Sequence, residues 1–268
     1  MEVVILPDAA AIGVAAADLV EDLLRDRPDA VLGLATGSSP LPTYDELAGR
    51  CAHGRVSFAR ARAFTLDEYV GLPPEHPAAY ARVIRDELAD RVDFGAEAVV
   101  GPRGDADDVV TECARYDAAI REAGGIDLQI LGIGTDGHVA FNEPGSSLAS
   151  RTRVKTLTEQ TRADNARFFG GDRSAVPRHC ITQGLGTIME ARHLLLVATG
   201  AGKAEAVHQM VEGAVSARWP ASILQLHPTV TAFIDEEAAS RLELGDYYRF
   251  VQRHKGGVNA LVGSDPLP

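Results

Sequence analysis

The chain has 268 residues, of which 46% are apolar, enough to bury a sizeable core in one large α/β domain or two small ones. Its formal net charge of −12 argues against general affinity for nucleic acids or anionic membranes. An anionic ligand therefore needs locally concentrated positive charge.

The cysteines and the amino terminus indicate the compartment. Cys51, Cys113 and Cys180 are odd in number and widely spaced, without a C-x-x-C pair, as is typical of a reducing environment. The first residues, MEVVILPDAAAIG, lack a basic segment followed by a sustained apolar run, and no stretch approaches the roughly 18 apolar residues of a membrane helix. We expect a cytoplasmic protein with neither a nucleic-acid nor a membrane partner.

The amino-terminal part alternates strands and helices. Residues 3–6 predict a short strand, Asp8 can cap a helix that runs to about residue 27, and residues 31–36 predict a second strand. In the next segment, ATGSSPLPTYDEL, Gly37 permits a tight turn, Ser39 is a candidate N-cap and Pro40 suits the first helical position. Free N–H groups beside Ser38 and Ser39 form an anion site, although a plain capped helix explains the same residues equally well.

A polar cluster, Asp67-Glu68-Tyr69, follows a strand predicted over residues 56–66. Two adjacent carboxylates at a strand end are more often solvated or capping than catalytic. Because neighbouring side chains of an extended chain point to opposite faces, only one of them can enter a given pocket, and we favour Asp67. Helices are then expected over residues 77–92 and 107–122.

Residues 126–150, IDLQILGIGTDGHVAFNEPGSSLAS, combine an apolar strand, a glycine turn and three side chains capable of chemistry, Asp136, His138 and Glu143. Ligands of open α/β sheets bind beyond the carboxyl ends of the strands, so this stretch is a candidate site. A metal held by the imidazole and two carboxylates is a second interpretation, and a purely structural turn is a third.

The glycines of this stretch match the dinucleotide-binding pattern G-x-G-x-x-G. That pattern requires a helix directly behind its last glycine, whereas Pro144 and Gly145 leave almost no room for one. An Asp and a His inside the loop would also crowd a pyrophosphate. A nucleotide site is therefore disfavoured.

Positive charge is concentrated after residue 150, where residues 151–173 carry six Lys or Arg against three acids. With a helix expected over residues 161–169, we interpret residues 150–175 as a lid rather than a separate domain, the alternative being a solvated loop and helix. Residues 192–200 predict another strand, and Lys203 at the following helix start can bind phosphate as a point charge. Val197 and Ala204 exclude a Walker A loop there.

The pattern as a whole predicts the α/β class, with a doubly wound, mostly parallel sheet covered by helices on both faces, a Rossmann-like fold. Residues 222–226 and 229–235 supply a last strand region, and residues 236–253 a closing helix. We expect one domain over residues 1–255 and a disordered tail over residues 256–268.

Several segments together resemble glucosamine-6-phosphate deaminase, of the glucosamine-6-phosphate isomerase family. They are LGLATGSSPLPTY, FTLDEYVGL followed by EHP and a Tyr, LGIGTDGHVAFNEPGSSLASRTRVKTL, NARFF, GAGKAEA and LQLHP, in order across most of residues 31–235. DEYVGL together with DGHxAFNEP is far more specific than the glycine pattern. The resemblance is weak for the first and last thirty residues.

The resemblance implies a hydrolase of amino-sugar catabolism that converts glucosamine 6-phosphate and water into fructose 6-phosphate and ammonia, without a cofactor or metal. The family's general base falls on Asp67 and its ring-opening histidine on His138, with Asp136 and Glu143 holding that imidazole. A histidine titrates near neutrality, and flanking carboxylates fix its tautomer, which agrees with these roles. The family's phosphate contacts fall on Gly37, Ser38, Ser39, Arg167 and Lys203.

Some members of the family are hexamers activated by N-acetylglucosamine 6-phosphate at a subunit interface, whereas others are monomers. The residue types of that second site stand at Ser146, Arg153 and Lys155, so the resemblance allows an allosteric homo-oligomer. The phosphate loop departs mildly from the family, with TGSSP in place of TGGTP, and the carboxyl-terminal region does not align clearly.

Two alternatives share this fold. A 6-phosphogluconolactonase carries a similar loop, but here VAFNEP follows DGH, and Tyr69 rather than Arg follows the acidic pair. A sugar-phosphate-sensing effector module is the non-enzymatic alternative, because fold alone does not settle function. No DNA-binding segment accompanies the candidate site, which disfavours the sensor. A related deaminating isomerase for a differently substituted amino sugar is a weaker third possibility.

Overall fold

Ten strands and eight α-helices build the protein, in a computed structural model that describes the backbone of residues 1–261 and the side chains of residues 1–255. The strands are β1 (Glu2–Leu6), β2 (Val31–Leu34), β3 (Arg62–Thr65), β4 (Asp67–Tyr69), β5 (Val99–Val100), β6 (Leu128–Leu131), β7 (Arg153–Thr156), β8 (His179–Thr182), β9 (His193–Ala198) and β10 (Val230–Asp235). The helices are α1 (Ala9–Asp26), α2 (Leu41–Ala52), α3 (Tyr80–Glu87), α4 (Val109–Glu122), α5 (Glu159–Asn165), α6 (Leu185–Ile188), α7 (Ala204–Val211) and α8 (Gly245–Leu261). Short 3₁₀ turns cover Ala89–Arg91, Ala166–Phe169, Arg173–Ala175, Ala201–Lys203 and Pro220–Leu226.

Seven strands form one parallel sheet in the order β1-β10-β9-β6-β2-β3-β5. Every residue of β2 and β6 is buried, as expected for central strands of a sheet that is covered on both faces. The predicted α/β class with a mostly parallel sheet is confirmed. The parallel arrangement brings the carboxyl ends of β2, β3, β6 and β9 to one edge of the sheet.

A second, antiparallel sheet of three strands, in the order β4-β8-β7, was not predicted. It joins the short strand that carries Asp67 to the first strand of the segment interpreted as a lid. Asp67 and Arg153 both pair with Thr182 of β8, so distant parts of the sequence are placed in one register. The segment over residues 150–175 is thus attached to the second sheet through β7.

Helices α1 and α2 pack closely where Gly13 meets Pro42. A Cβ atom on Gly13 would lie 2.6 Å from the carbonyl oxygen of Pro42. Asp8 caps α1 as predicted, because its side chain accepts a hydrogen bond from the Ala11 amide at 2.8 Å. The close contact between Gly13 and Pro42 sets the position of α2 and of the turn before it.

The start of α2 differs from the prediction. The helix begins at Leu41, Pro40 occupies the cap position, and no side chain in the described part of the chain caps it, so Ser39 is not its N-cap. Residues 38–40 form a turn instead, and the Pro40 carbonyl accepts the amides of Thr43 and Tyr44. A proline ring fixes φ but leaves this carbonyl free to close the first turn.

Two further expectations fail towards the carboxyl terminus. Residues 222–226 belong to the 3₁₀ turn Pro220–Leu226 rather than to a strand. Helix α8 begins at Gly245, not at residue 236, because Glu212 accepts the amides of Glu243 and Leu244 and so holds the preceding turns. Helix α8 ends at Leu261, and residues 262–268 of the tail that was expected to be disordered lie outside the described residues.

Among the described residues, none of the helices combines the length and apolar character needed to cross a membrane.

We predict that Gly13→Ala destabilises the protein by about 1–3 kcal/mol, because the new methyl group would press against backbone atoms that cannot move aside cheaply. Gly49→Ala is the matched control, since Gly49 lies in α2 with open space around it. That substitution should stabilise the helix by about 0.5–1 kcal/mol. Urea unfolding measures both, and equal effects would contradict the close α1–α2 contact.

Candidate active site

A cavity of about 290 Å³ lies at the carboxyl ends of the parallel strands. Loops after β2, β3, β6 and β9 line it, together with the segment around α5, as the general rule for open α/β sheets predicts. Seven of the predicted residues line this one cavity: Gly37, Ser38, Ser39, Asp67, His138, Arg167 and Lys203. Asp136 and Glu143 lie behind His138 rather than on the cavity wall.

The His138 imidazole is held by the loop that follows β6. Its Nδ1 lies 2.7 Å from Asp136 Oδ1 and 3.9 Å from Glu143 Oε2. The ring lies directly over Gly134, where a Cβ atom would be 2.2 Å from His138 Cε1. Gly134 is therefore required by the close approach of an imidazole, which accounts for part of the glycine pattern without a nucleotide.

A tight turn brings Glu143 back to the imidazole. The Asn142 amide donates to the Val139 carbonyl at 3.1 Å, and Ala140, with φ of 51°, is the single non-glycine residue with positive φ in the described backbone. For a residue with a Cβ this conformation costs about 1 kcal/mol. The strain falls between the histidine and its second carboxylate, as often happens at functional sites.

The Asp136 carboxylate fixes the tautomer of His138. Partial burial by itself raises the pKa of the Asp136 carboxyl, but the hydrogen bond and the charge of His138 outweigh burial and lower this pKa to about 2. An ionised Asp136 accepts a hydrogen bond from the Nδ1–H group of His138, which leaves Nε2 available to a ligand. The imidazole can therefore exchange a proton through Nε2.

Asp67 and Glu68 have different environments although they are adjacent. Asp67 lines the cavity and is 5% exposed, and burial, followed by the nearby charge of Glu68, raises its pKa well above the usual range. Glu68 turns away and accepts the amides of Tyr69, Tyr80 and Ala81 at 2.8–2.9 Å. Glu68 therefore fixes the start of α3, while Asp67 is free to act on a ligand.

Positive charge also lines the cavity, at Arg167 and Lys203. Lys203 is partly buried, and its burial lowers its pKa, an effect that the nearby Arg167 adds to and that Asp164 opposes. The turn at Gly37, with φ of 106°, lines the same cavity. Backbone donors, two hydroxyl groups and two cations thus face the same space, which suits a phosphate group.

Several cavity residues carried no usable signal in the sequence. Tyr80 was noted only as part of a motif, yet its ring lies 4.9 Å from that of Tyr69 and stacks on Phe141 at 5.7 Å. Asn165 donates to the Tyr69 hydroxyl at 3.0 Å and so ties α5 to the strand of Asp67. Asn165 and Tyr69 are 96 positions apart in the sequence, so no local pattern predicts their contact.

The three residues of the expected second site lie outside the cavity. Arg153 Nη1 donates to Asn142 Oδ1 at 2.9 Å, and burial lowers the pKa of the Arg153 guanidinium. Arg153 Nη2 and Ser146 Oγ are buried and have no hydrogen-bond partner within the described residues. Lys155 lies two positions further along β7, on the same face as Arg153. Two buried donors therefore lie close to the turn that carries Glu143.

The groups around His138 also have the composition of a metal site. Ligand atoms of Asp136, His138 and Glu143 all lie within 4.8 Å of one another. A metal ion bound at Nδ1 would have to displace the proton that this nitrogen shares with Asp136.

A parallel α/β fold with an acid–base pair and two cations in one cavity defines the class, an enzyme for a small anionic molecule. Residues 8–233 match the family of glucosamine-6-phosphate isomerases and 6-phosphogluconolactonases. The chain belongs to this family, so the resemblance found in the sequence is confirmed.

Relatives within the family are close. The chain is 67% identical over 255 residues to a glucosamine-6-phosphate deaminase of Mycolicibacterium smegmatis, covering 95% of this chain and 98% of the relative. It is 59% identical over 255 residues to a glucosamine-6-phosphate deaminase of Streptomyces coelicolor, which again covers 95% of this chain and 98% of the relative.

Two solved structures are similar to this chain in fold. A monomeric glucosamine-6-phosphate deaminase has a TM-score of 0.88 and 41% identity, covering 90% of this chain and 100% of the other. A 6-phosphogluconolactonase of Trypanosoma cruzi has a TM-score of 0.73 at 20% identity, covering 90% and 97%, and shows a common fold alone.

Glu87 is a further carboxylate on the cavity wall, and one of its oxygen atoms is buried without a partner among the described residues. Burial raises its pKa to about 7, with the charges of Asp45 and Asp86 adding to the rise and Arg91 opposing it. Folding therefore favours the protonated form of this side chain. The resulting stability is complete below the unfolded-state pKa near 4.5 and is lost as the pH rises through about 7.

We predict that Glu87→Gln is more stable than the parent protein at pH 8.5, by an amount on the order of 1 kcal/mol after allowance for solvent screening. The two proteins should converge as the pH falls to about 4.5. Chemical unfolding at both pH values measures the difference, with the exposed Glu122→Gln as control. A difference that does not depend on pH would rule out the raised pKa.

Proposed function

We propose that this protein is a glucosamine-6-phosphate deaminase, converting glucosamine 6-phosphate and water into fructose 6-phosphate and ammonia. The observation that carries the proposal is the placement of Asp67, His138 and the cationic phosphate end in one cavity. Relatives named as deaminases at 59–67% identity over 95% of the chain support this interpretation over the lactonase and sensor alternatives. The lactonase likeness, at 20% identity, extends to the fold only.

Ring opening is assigned to His138. Opening a cyclic sugar requires a proton for the ring oxygen and removal of the proton of the anomeric hydroxyl group. With Nδ1 bound to Asp136, the imidazole offers Nε2 to the cavity, and the ionised carboxylate stabilises the imidazolium form as it develops. The expected contribution of such a placed acid–base group is about 10²–10⁴-fold in rate.

Isomerisation is assigned to Asp67. Its carboxylate removes the proton at C2 of the opened amino sugar and delivers it to C1, while a proton passes from the amino nitrogen to the C1 oxygen, which becomes a hydroxyl group. The product of this transfer is a ketimine at C2, to which water adds before ammonia leaves. The raised pKa of Asp67 makes the carboxylate a stronger base than an exposed aspartate, and the buried position excludes competing water.

The phosphate group is assigned to Gly37, Ser38, Ser39, Arg167 and Lys203. Backbone donors and hydroxyl groups position the phosphate, while the two cations supply charge in a molecule that is strongly acidic overall. Binding at this end orients C1 and C2 towards Asp67 and the ring oxygen towards His138.

The proposal also covers the domain organisation, the compartment and the cofactor requirement. Residues 1–255 act as one domain in which the segment over residues 150–175 closes as a lid, and the enzyme works in the cytoplasm without a cofactor or metal. Free Cys51, Cys113 and Cys180 suit a reducing compartment. Amino-sugar catabolism is the corresponding metabolic role.

Regulation and assembly are also part of the proposal. Ser146, Arg153 and Lys155 form a second anion site for N-acetylglucosamine 6-phosphate, and the edge of β7 would serve a homo-oligomer such as a hexamer. The two buried donors without described partners, Ser146 Oγ and Arg153 Nη2, support an anion site. A structurally similar deaminase is described as monomeric, so the site and the assembly need separate tests.

The proposal is tested by incubating purified protein with glucosamine 6-phosphate in the presence of a chelator. We expect stoichiometric ammonia and fructose 6-phosphate, which establishes the reaction without added metal. If the folded protein released no ammonia, the result would favour a sugar-phosphate sensor or an enzyme for another amino sugar. Activity that appears only after a divalent ion is restored would instead indicate a metal at Asp136, His138 and Glu143.

Asp67→Asn should lower turnover by at least about 100-fold, because an amide cannot accept the C2 proton. Binding of a substrate analogue should remain nearly unchanged, as measured by calorimetry, since the phosphate contacts stay intact. The exposed Asp90→Asn on the turn after α3 is the control for a charge change alone. Full activity in Asp67→Asn would remove this residue from the mechanism.

Arg153→Ala should abolish any response to N-acetylglucosamine 6-phosphate while leaving the unactivated rate within about twofold, because Arg153 lies outside the cavity. Substrate titrations with and without this ligand measure the response, and sedimentation measures the assembly state. An unchanged response in Arg153→Ala would eliminate the second site at this position.

A further inference from the structure

The first turn of α5 holds Glu143, the more distant of the two carboxylates beside His138. Glu143 Oε1 accepts a hydrogen bond from Thr161 Oγ1 at 2.6 Å and from the Thr158 amide at 3.3 Å. Thr158 is also the N-cap of α5, since its hydroxyl accepts the Thr161 amide at 3.1 Å. Glu143 is 3% exposed and Thr161 4%, so the hydrogen bond between these two side chains is buried.

Fixing one oxygen of Glu143 determines where the other one lies. Oε2 is buried, has no hydrogen-bond donor among the described residues, and lies 3.9 Å from His138 Nδ1. A buried carboxylate oxygen without a donor is costly unless a compensating charge forms nearby. The group that can supply this charge is the His138 imidazole when it is protonated.

The same segment reaches the phosphate end of the cavity. Arg167 follows Thr161 by six positions, about 9 Å along a helical path, and lines the cavity beside Lys203. Between them, Asn165 donates to the Tyr69 hydroxyl at 3.0 Å. One short segment therefore contacts the assigned phosphate site at one end and the partner of the imidazole at the other.

We propose that Thr161 is a positioning residue for His138 that acts through Glu143 and couples the lid to the imidazole. The Thr161 hydroxyl holds Oε1, so that Oε2 faces Nδ1 when α5 is in place. Displacement of α5 releases Glu143 and weakens the support for the protonated imidazole. The kinetic part of this proposal rests on the proposed deaminase function.

A merely structural role for Thr161 makes a different prediction. The Thr161 hydroxyl could serve only to hold α5 against the loop of Glu143, and then its loss would lower stability without a specific effect on His138. Thr161→Val removes the hydroxyl and keeps the shape, whereas Thr161→Ser keeps the hydroxyl and loses a methyl group. Thr156→Val, at an exposed position of β7, is the control for the same chemical change.

The kinetic experiment is a double-mutant cycle on ammonia release. Thr161→Val should lower kcat by about 10-fold, the loss expected for one buried hydrogen bond to a charged group, with KM changed less than twofold. Thr161→Ser should recover most of the rate, and Thr156→Val should match the parent. In a Glu143→Gln background, Thr161→Val should change kcat less than twofold; a full 10-fold loss there would overturn the proposal.

A second readout does not depend on activity. In protein labelled with ¹⁵N-histidine, the His138 imidazole signals are identified by their absence in His138→Gln. Thr161→Val should shift both ring nitrogen signals of His138, whereas Thr161→Ser and Thr156→Val should leave them in place. Unshifted signals in folded Thr161→Val would overturn the proposal, even if the parent protein were to release no ammonia and the proposed function itself failed.

Discussion

The hydrogen bond between Asp136 and His138 is the interaction on which the site depends. It requires Asp136 to stay ionised, which the lowered pKa of that carboxyl provides, and it requires the ring to lie against Gly134 without a side chain between them. The loop backbone between the two residues is supported from elsewhere. The single tryptophan, Trp219, fills the space where a Cβ on Gly137 would lie, 2.6 Å from ring atom Cε3, and the Ala221 amide donates to the Gly137 carbonyl at 2.9 Å.

Burial is used differently at the two ends of the cavity. At one end it makes Asp67 a stronger base, because water that would stabilise the carboxylate is excluded. At the other end partial burial lowers the pKa of Lys203, so this lysine gains from an anionic ligand that restores its charge. An anionic ligand with a weakly acidic C–H bond at its far end satisfies both groups, which is how one cavity suits a phosphorylated amino sugar.

The small antiparallel sheet connects these functions. It places the strand of Asp67, the base of the lid and the edge that carries Arg153 side by side through β8. From that base, α5 reaches back to Glu143 through Thr161 and forward to the cavity through Arg167. The segment from β7 to Arg167 therefore joins the strand that carries Arg153, the contact with Glu143 and the wall of the cavity.

The sequence alone determined the parallel α/β class, because buried strands alternated with capped helices, and it supplied the family resemblance through DEYVGL and DGHxAFNEP. Strand geometry indicated that only one of Asp67 and Glu68 could face a given pocket, and the structure places the favoured Asp67 on the cavity wall. Three features could not be predicted from the sequence. Residues 38–40 form a turn and Ser39 does not cap α2, a 3₁₀ turn precedes β10, and α8 begins later than expected, at Gly245. Those outcomes depend on Pro40 and on carboxylates such as Glu212 that bind distant amides. The contacts of Thr161 with Glu143 and of Trp219 with Gly137 were likewise decided only by tertiary structure, because each joins residues whose separation in the sequence carries no periodic signal.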